Sequence, residues 1–196
     1  MTRDDLRRDM RSLRTALSPA ARRAAAEAAA AIASALPAYR DARRIGVYLA
    51  VDAELDPEPL VRVARAAGKE VYLPVLPPSD GLPFTYLPYS AGAALRPNRF
   101  RIPEPLPEAG AALAPVELDF VLAPLVAFDI RGRRLGMGGG YYDRSFAFLN
   151  AARAPRPLLV GYAYECQKVA ALQAESWDVP LAGVVTEQHF YAIPSG

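Results

Sequence analysis

Between Leu135 and Arg144 the chain reads Leu-Gly-Met-Gly-Gly-Gly-Tyr-Tyr-Asp-Arg, with four glycines among the five residues Gly136 to Gly140. Glycine loses more chain entropy on folding than any other residue, so such a run is a poor choice for a helix or strand. It suits a loop whose backbone approaches a ligand closely and turns its N–H groups toward an anion. Tyr141 to Ala152, with apolar side chains at Tyr142, Phe146 and Leu149, predicts a helix. A glycine loop that opens a helix is a ready phosphate site. Asp143 falls in the first turn, where beside bound phosphates its carboxylate needs a cation, most simply Mg²⁺. The segment is not a P-loop, because no Gly-Lys-Ser/Thr follows, nor the dinucleotide fingerprint, because Tyr141 stands where the third glycine belongs. A flexible linker or a helix-packing turn is the alternative.

Two charged groups accompany this loop. Arg3, Arg7, Arg11 and Arg14 lie at near-helical spacing. They are either a solvated helix face or, for Arg3 and Arg7, planar donors that reach triphosphate oxygens. Asp52, Glu54 and Asp56 alternate, and in an extended segment would share one face. Three carboxylates so close repel one another, which asks for solvent or a positive partner. Asp178, two residues before Pro180, is a turn acid or a second metal ligand. The single histidine, His189, pairs with nothing in a recognisable motif, and the single cysteine, Cys166, has no histidine near it. No acid, base or nucleophile is therefore assigned a catalytic role.

These residues need elements to place them. Leu6, Met10, Leu13 and Leu17 mark one face of a first helix, and Ser18-Pro19 caps a second that runs to about Leu36. Strands are predicted at Ile45 to Ala50, Val71 to Val75 and Phe84 to Leu87. Others follow at Phe120 to Ala123 (extended or bent through Phe128), at Leu158 to Tyr162 and finally at Gly183 to Thr186. A helix from about Pro57 to Ala67 ends at Gly68, and a short one spans Glu165 to Gln173. Strands alternating with helices predict a three-layer α/β fold, a mostly parallel sheet with helices on both faces. Such sheets hold ligands at the carboxyl ends of their strands. Both the 52–56 acids and the glycine loop follow a strand.

The 196 residues and 52% hydrophobic content suit one α/β domain over 1–196 with a sizeable core. A net charge of +2 does not argue for a nucleic-acid binder. One cysteine excludes an intrachain disulfide, and with no Cys/His cluster a zinc site is disfavoured. Arg3 to Asp9 is charged, with no apolar signal core, and the alanine run Ala24 to Ala35 is too short to span a bilayer. The expectation is a cytoplasmic protein, without membrane or nucleic-acid partners.

Three runs carry a resemblance. Pro124-Leu125-Val126-Ala127-Phe128-Asp129, Arg134 through Asp143, and Trp177-Asp178-Val179-Pro180 with Val184-Val185-Thr186-Glu187 are similar to the 5-formyltetrahydrofolate cyclo-ligase (5,10-methenyltetrahydrofolate synthetase) family. The likeness covers nearly the whole chain, and the glycine segment is its most specific part. It implies a fold of the sugar-phosphate isomerase/CoA-transferase type and a monomer acting on small molecules, ATP and 5-formyltetrahydrofolate. It also implies ATP bound by Arg3, Arg7, Arg134, Leu135, Gly136, Met137, Gly138, Gly139, Gly140, Tyr141 and Tyr142. Folate would be bound by Leu49, Glu54 and residues Met137 to Tyr141, with Glu54 accepting hydrogen bonds from the pterin and Leu49 as an apolar wall. Asp143 and Asp178 would hold Mg²⁺. Tyr142, four residues before Phe146, is also suited to the core.

The implied reaction closes 5-formyltetrahydrofolate to 5,10-methenyltetrahydrofolate with release of ADP and phosphate. It asks for alignment and charge neutralisation rather than acid–base work. Three residues depart from the family pattern: Leu125 for glycine, Arg101 for glycine and Gln173 for proline. Arginine at 101 would be strained if that position has positive φ. The alternative is a paralogue that keeps the nucleotide loop and regulates or takes another salvage substrate.

Overall fold

The computed structural model describes residues 2–150 and 157–194. Helix α1 (Arg3–Ala16) opens with a capping box, in which Thr2 Oγ1 accepts from the Asp5 N–H and Asp5 returns the bond to the Thr2 N–H. Ser18 caps α2 (Pro19–Ala35) in the same sense, with proline at the first helical position. The buried stripe of α2 is alanine at 25, 26, 29, 30 and 33. Small residues at that spacing let the helix lie close against α4 (Glu58–Ala66) and the sheet beneath. A short helix, α3 (Pro37–Asp41), leads into the first strand.

Seven strands form the main sheet. Five are parallel: β1 (Arg44–Gly46), β2 (Glu70–Val75), β6 (Phe120–Pro124), β9 (Leu158–Tyr162) and β10 (Gly183–Val185). The edges are antiparallel, β3 (Thr85–Pro88) on β2 and β11 (Phe190–Ala192) on β10, giving the order β11-β10-β9-β6-β1-β2-β3. Buried on both faces, β6 shows why a continuous apolar run becomes a central strand. Phe120 and Leu122 enter the core beneath α2, α3 and α4, while Val121 and Ala123 enter the opposite one with Tyr86, Phe128 and Phe146. That opposite face is covered thinly, by α5 (Tyr141–Ser145), a 3-10 turn at Ala147–Asn150 and irregular segments.

The predicted layers are found, with corrections at their edges. Strand β1 is three residues long, and the chain from Tyr48 to Asp56 is an irregular loop. The helix expected through Ala152 ends at Ser145, because Phe146 leaves helical geometry at φ −113° and the chain tightens into a 3-10 turn; Ala151 and Ala152 lie outside the described residues. The helix expected at Glu165 to Gln173 is a 3-10 turn at Glu165–Gln167 only. Gly183–Val185 is not the last strand, since β11 turns back on it through Gln188 and His189. The proline-rich stretch conceals a hairpin, β4 (Leu95–Pro97) with β5 (Pro103–Pro105). A second small ribbon, β7 (Ala127–Phe128) with β8 (Arg134–Leu135), carries the chain from β6 to the glycine loop. No described helix is long and apolar enough to cross a membrane.

Candidate active site

The carboxyl ends of β1, β6 and β9 all open toward α1. Buried Asp129 begins the segment that leads to the glycine loop. Its Oδ1 accepts the N–H groups of Arg131 (2.9 Å) and Arg133 (3.2 Å), and its Oδ2 accepts the Leu172 N–H at 2.9 Å. Fixing that turn sends Arg134 into the protein, 7% exposed, where it donates to the Val179 carbonyl and to Asp143 Oδ1. Gln167, also buried, donates to the carbonyls of Leu125 (2.8 Å) and Val126 (2.9 Å) and thereby holds the bend after β6. Nothing in the spacing of Asp129 or Gln167 announced these roles, although Asp129 closes one of the recognised runs.

The glycine loop lies open between these supports. Met137, Gly138 and Gly139 are exposed, and none of the backbone N–H groups from Gly136 to Gly140 has a hydrogen-bond partner among the described residues. Gly138 has φ +101° and Gly140, the residue capping α5, has φ +62°. Only glycine takes the first of these cheaply. The Arg7 guanidinium comes within 3.7 Å of where a Gly138 side chain would begin. Arg7 Nε donates to the Gly136 carbonyl at 3.0 Å, so α1 and the loop meet across 129 residues of sequence. Arg3 donates instead to Glu175 at 3.0 Å. Arg144, with Tyr141 beneath its guanidinium at 4.9 Å, lies over Gly140 and has no acidic partner among the described residues.

Asp143 Oδ1 is taken by Arg134 and by the Val179 N–H at 3.2 Å; its Oδ2 has no partner among the described residues. Asp178, the neighbour of Val179, accepts the Glu175 N–H at 2.9 Å in a local turn. No three His, Cys, Asp or Glu side chains among the described residues form a cluster able to hold a metal ion. A cage made by protein alone therefore does not fit Mg²⁺. One free carboxylate oxygen beside a row of phosphate-ready N–H groups fits a Mg²⁺ that keeps waters and shares phosphate oxygens.

Across from the glycine loop, the β1 loop is built in the opposite way. The three alternating acids do not share a face, because Asp52 (φ 51°) and Ala53 (φ 58°) are left-handed and turn the chain between them. Asp52 faces α1, Asp56 caps the Glu58 N–H, and Glu54 is buried. Glu54 Oε2 accepts the Val51 N–H at 3.1 Å, its N–H donates to the Val51 carbonyl at 2.9 Å and its carbonyl accepts from Tyr164 Oη at 3.3 Å. Tyr48 Oη donates to the Leu55 carbonyl at 2.5 Å. Burial pushes the Glu54 carboxyl above its ordinary value despite the Val51 bond and the Arg14 charge. Burial first and the Glu54 charge second push the Tyr142 phenol upward. Leu49 is half-buried against the core under α2, and the Tyr142 ring packs on Phe84 and Phe146, as its spacing predicts.

Of the predicted residues, Arg7 and Gly136 to Asp143 meet at one place; Arg3, on α1, bonds Glu175 of the adjoining 175–179 loop, which carries Asp178. Arg134 lies behind them with its guanidinium engaged. Tyr141 is held by Arg99 (2.8 Å) and Asp80 (3.1 Å). Trp177, 63% exposed, is not core. His189 packs edge-on to Tyr191, and burial raises the Cys166 thiol, in keeping with an inert residue. The three departures are absorbed locally. Arg101 has φ +62° at the tip of the β4–β5 hairpin, Leu125 packs over Gly161, and Gln173 is exposed.

Residues 1–187 match the family model described as the 5-formyltetrahydrofolate cyclo-ligase family. The chain is 44% identical over 145 residues to the 5-formyltetrahydrofolate cyclo-ligase of Escherichia coli (strain K12), covering 74% of this chain and 78% of that one. It is 40% identical over 147 residues to the enzyme of the same name from Haemophilus influenzae, covering 74% and 76%. The solution structure of Aquifex aeolicus 5,10-methenyltetrahydrofolate synthetase superposes with a TM-score of 0.83 at 31% identity, over 100% of this chain and 95% of that chain. The chain belongs to the 5-formyltetrahydrofolate cyclo-ligase family.

Proposed function

We propose that this family member is the ligase that closes 5-formyltetrahydrofolate to 5,10-methenyltetrahydrofolate, using ATP and Mg²⁺ and releasing ADP and phosphate. The observation that carries the nucleotide half is the run of unpartnered N–H groups from Gly136 to Gly140, flanked by Arg7 and Arg144. Such a row binds phosphate oxygens without competing for an internal bond. Arg3 supplies a further cation at the start of α1. Arg134 serves by holding Asp143 in place, and Asp143 Oδ2, with Asp178 beyond it, is the carboxylate that faces a phosphate-borne cation. Bound Mg²⁺ would neutralise charge on the transferring phosphoryl group.

Glu54 is the acceptor for pterin N–H groups, with Leu49 and the Met137–Tyr141 backbone as walls. In the reaction the formyl oxygen attacks the γ-phosphorus, ADP leaves, and the formyl carbon becomes the electrophile. The folate N10 lone pair then attacks that carbon, and loss of the phosphate and of the N10 proton leaves the methenyl bridge. No side chain need act as nucleophile. The protein contributes alignment and a fixed field, terms that together account for several powers of ten. In this reading it works as a cytoplasmic monomer.

The test is absorbance of the methenyl bridge in the near ultraviolet, with purified protein, 5-formyltetrahydrofolate, Mg²⁺ and ATP. ATP-dependent growth of the band is expected, with ADP formed in equal amount. ADP release without the band, or the band without ATP, would sink the proposal.

A further inference from the structure

Arg14 is 0% exposed, yet only its Nη2 has a protein partner, Asp52 Oδ2 at 2.9 Å; its Nε and Nη1 have none. A buried arginine is a poor source of stability. Removing a guanidinium from water costs several kcal/mol, and apolar side chains of similar volume commonly do as well or better. Arg11 Nε donates to the same Asp52 oxygen at 2.6 Å from the solvent side. The residue they grip is one of two consecutive non-glycine residues in left-handed backbone. Such geometry is unfavourable for a residue that carries a Cβ and persists only where surroundings enforce it. The strained pair immediately precedes Glu54.

Helix α1 holds the other loop as well. Arg7 is seven residues from Arg14, two turns along the helix, so both lie near one face. One arginine is bonded to the first carbonyl of the glycine loop and the other to the apex of the 51–55 turn. We infer that Arg14 is a positioning residue for Glu54. Clamped to Asp52, it ties the folate-side loop to the same rigid helix that carries the nucleotide-side loop, and so fixes the distance between the two substrates. The inference rests on the proposed role of Glu54.

The experiment compares Arg14→Met, Glu54→Gln and the double variant by KM for folate, KM for ATP and kcat. Arg14→Met is expected to raise the folate KM about tenfold or more, with lower kcat and an ATP KM within about twofold of the parent, because Arg7 still holds the glycine loop. Residues acting through one another are not additive. Placed on Glu54→Gln, Arg14→Met should therefore raise the folate KM less than about twofold further. Arg14→Lys, which keeps the charge and one donor, should recover part of the loss. A full additional rise in the double variant, an equal rise in both KM values, or an unchanged folate KM in Arg14→Met overturns the clamp. A wild-type folate KM in Glu54→Gln itself instead removes Glu54 from the pterin, a separate failure. Should Arg14→Met not fold, Asp52→Asn carries the same comparison: it keeps the side-chain volume and removes the charge that Arg14 grips. The same selective, non-additive rise supports the clamp, and a wild-type folate KM overturns it.

Discussion

The two loops at the carboxyl end of the sheet are built on opposite principles. The glycine loop is exposed, has no hydrogen-bond partner for its N–H groups among the described residues, and is held by the side chains that drape over it, Arg7, Tyr141 and Arg144. The 51–55 loop is strained, buries Glu54 and Leu55, and is bonded from three directions, by α1, by Tyr48 and by Tyr164. A triphosphate brings its own charge and needs only donors left free for it. A flat heterocycle recognised by one carboxylate needs that carboxylate fixed before it arrives. The first loop keeps its bonding capacity for the ligand, whereas the second has spent it on its own geometry.

That contrast can be broken by substitution, and the largest effect should come where the open loop meets its buried support. Asp143→Asn is expected to cut turnover by about 10²-fold, since a small misplacement at a phosphate site costs that much. It should also lower stability by about 3 kcal/mol, because Arg134, buried behind it, loses its charged partner. Single-turnover kinetics and thermal unfolding read the two losses separately. Its pairing with a buried arginine makes Asp143 structural as well.

Glu54→Gln comes next. Loss of a charged hydrogen bond to the pterin should weaken folate about tenfold and leave ATP unchanged, as measured by titration calorimetry. Stability should move the other way. The Glu54 carboxyl is raised in the fold, so the folded state favours the neutral acid. Burial of Glu54 costs nothing below the ordinary glutamate range, and the cost grows as pH rises through that range toward the folded value. Glu54→Gln is therefore expected to raise the melting temperature at pH 7 and to match the parent near pH 4. A variant less stable than the parent at pH 7 would show that Glu54 is there for the fold.

Gly138→Ala tests the independence of the two loops. At φ +101° an alanine costs about 1–3 kcal/mol, which should weaken ATP several-fold and folate, whose wall Gly138 shares, by a clearly smaller factor. An equal loss of folate affinity would mean that the loops move as one. The smallest effect is expected outside both. Arg101→Gly relieves a left-handed arginine at the hairpin tip and should stabilise by about 0.5–1 kcal/mol with unchanged kinetics.

The sequence carried one loop far better than the other. A run of glycines before an acid and an apolar helix reports its own backbone chemistry, so an open loop leading into a helix, with Asp143 in the first turn, could be read locally. The cap of α2 and the central strands were legible for the same reason. The 51–55 loop was not. Its alternating acids suggested an extended segment, and left-handed Asp52 and Ala53 leave no mark in a one-letter code. Arg14 looked like part of a solvated face because nothing nearby in sequence shows that a polar helix face packs on a polar loop 38 residues away. The β4–β5 hairpin was hidden by prolines, which as a rule weaken strand patterns but sit here in a two-stranded ribbon.

Helix α1 has one more consequence, for the order in which the protein assembles. It is synthesised before every partner it touches: Asp52, then Gly136, then Glu175, the last across 172 residues of chain. A helix of 14 residues is marginal alone in water, so it waits for those partners before it is secure. Contacts this distant in sequence are slow to form. Docking of α1 is thus expected as a late event on the ribosome and in refolding, with activity regained after the bulk of the sheet signal rather than together with it.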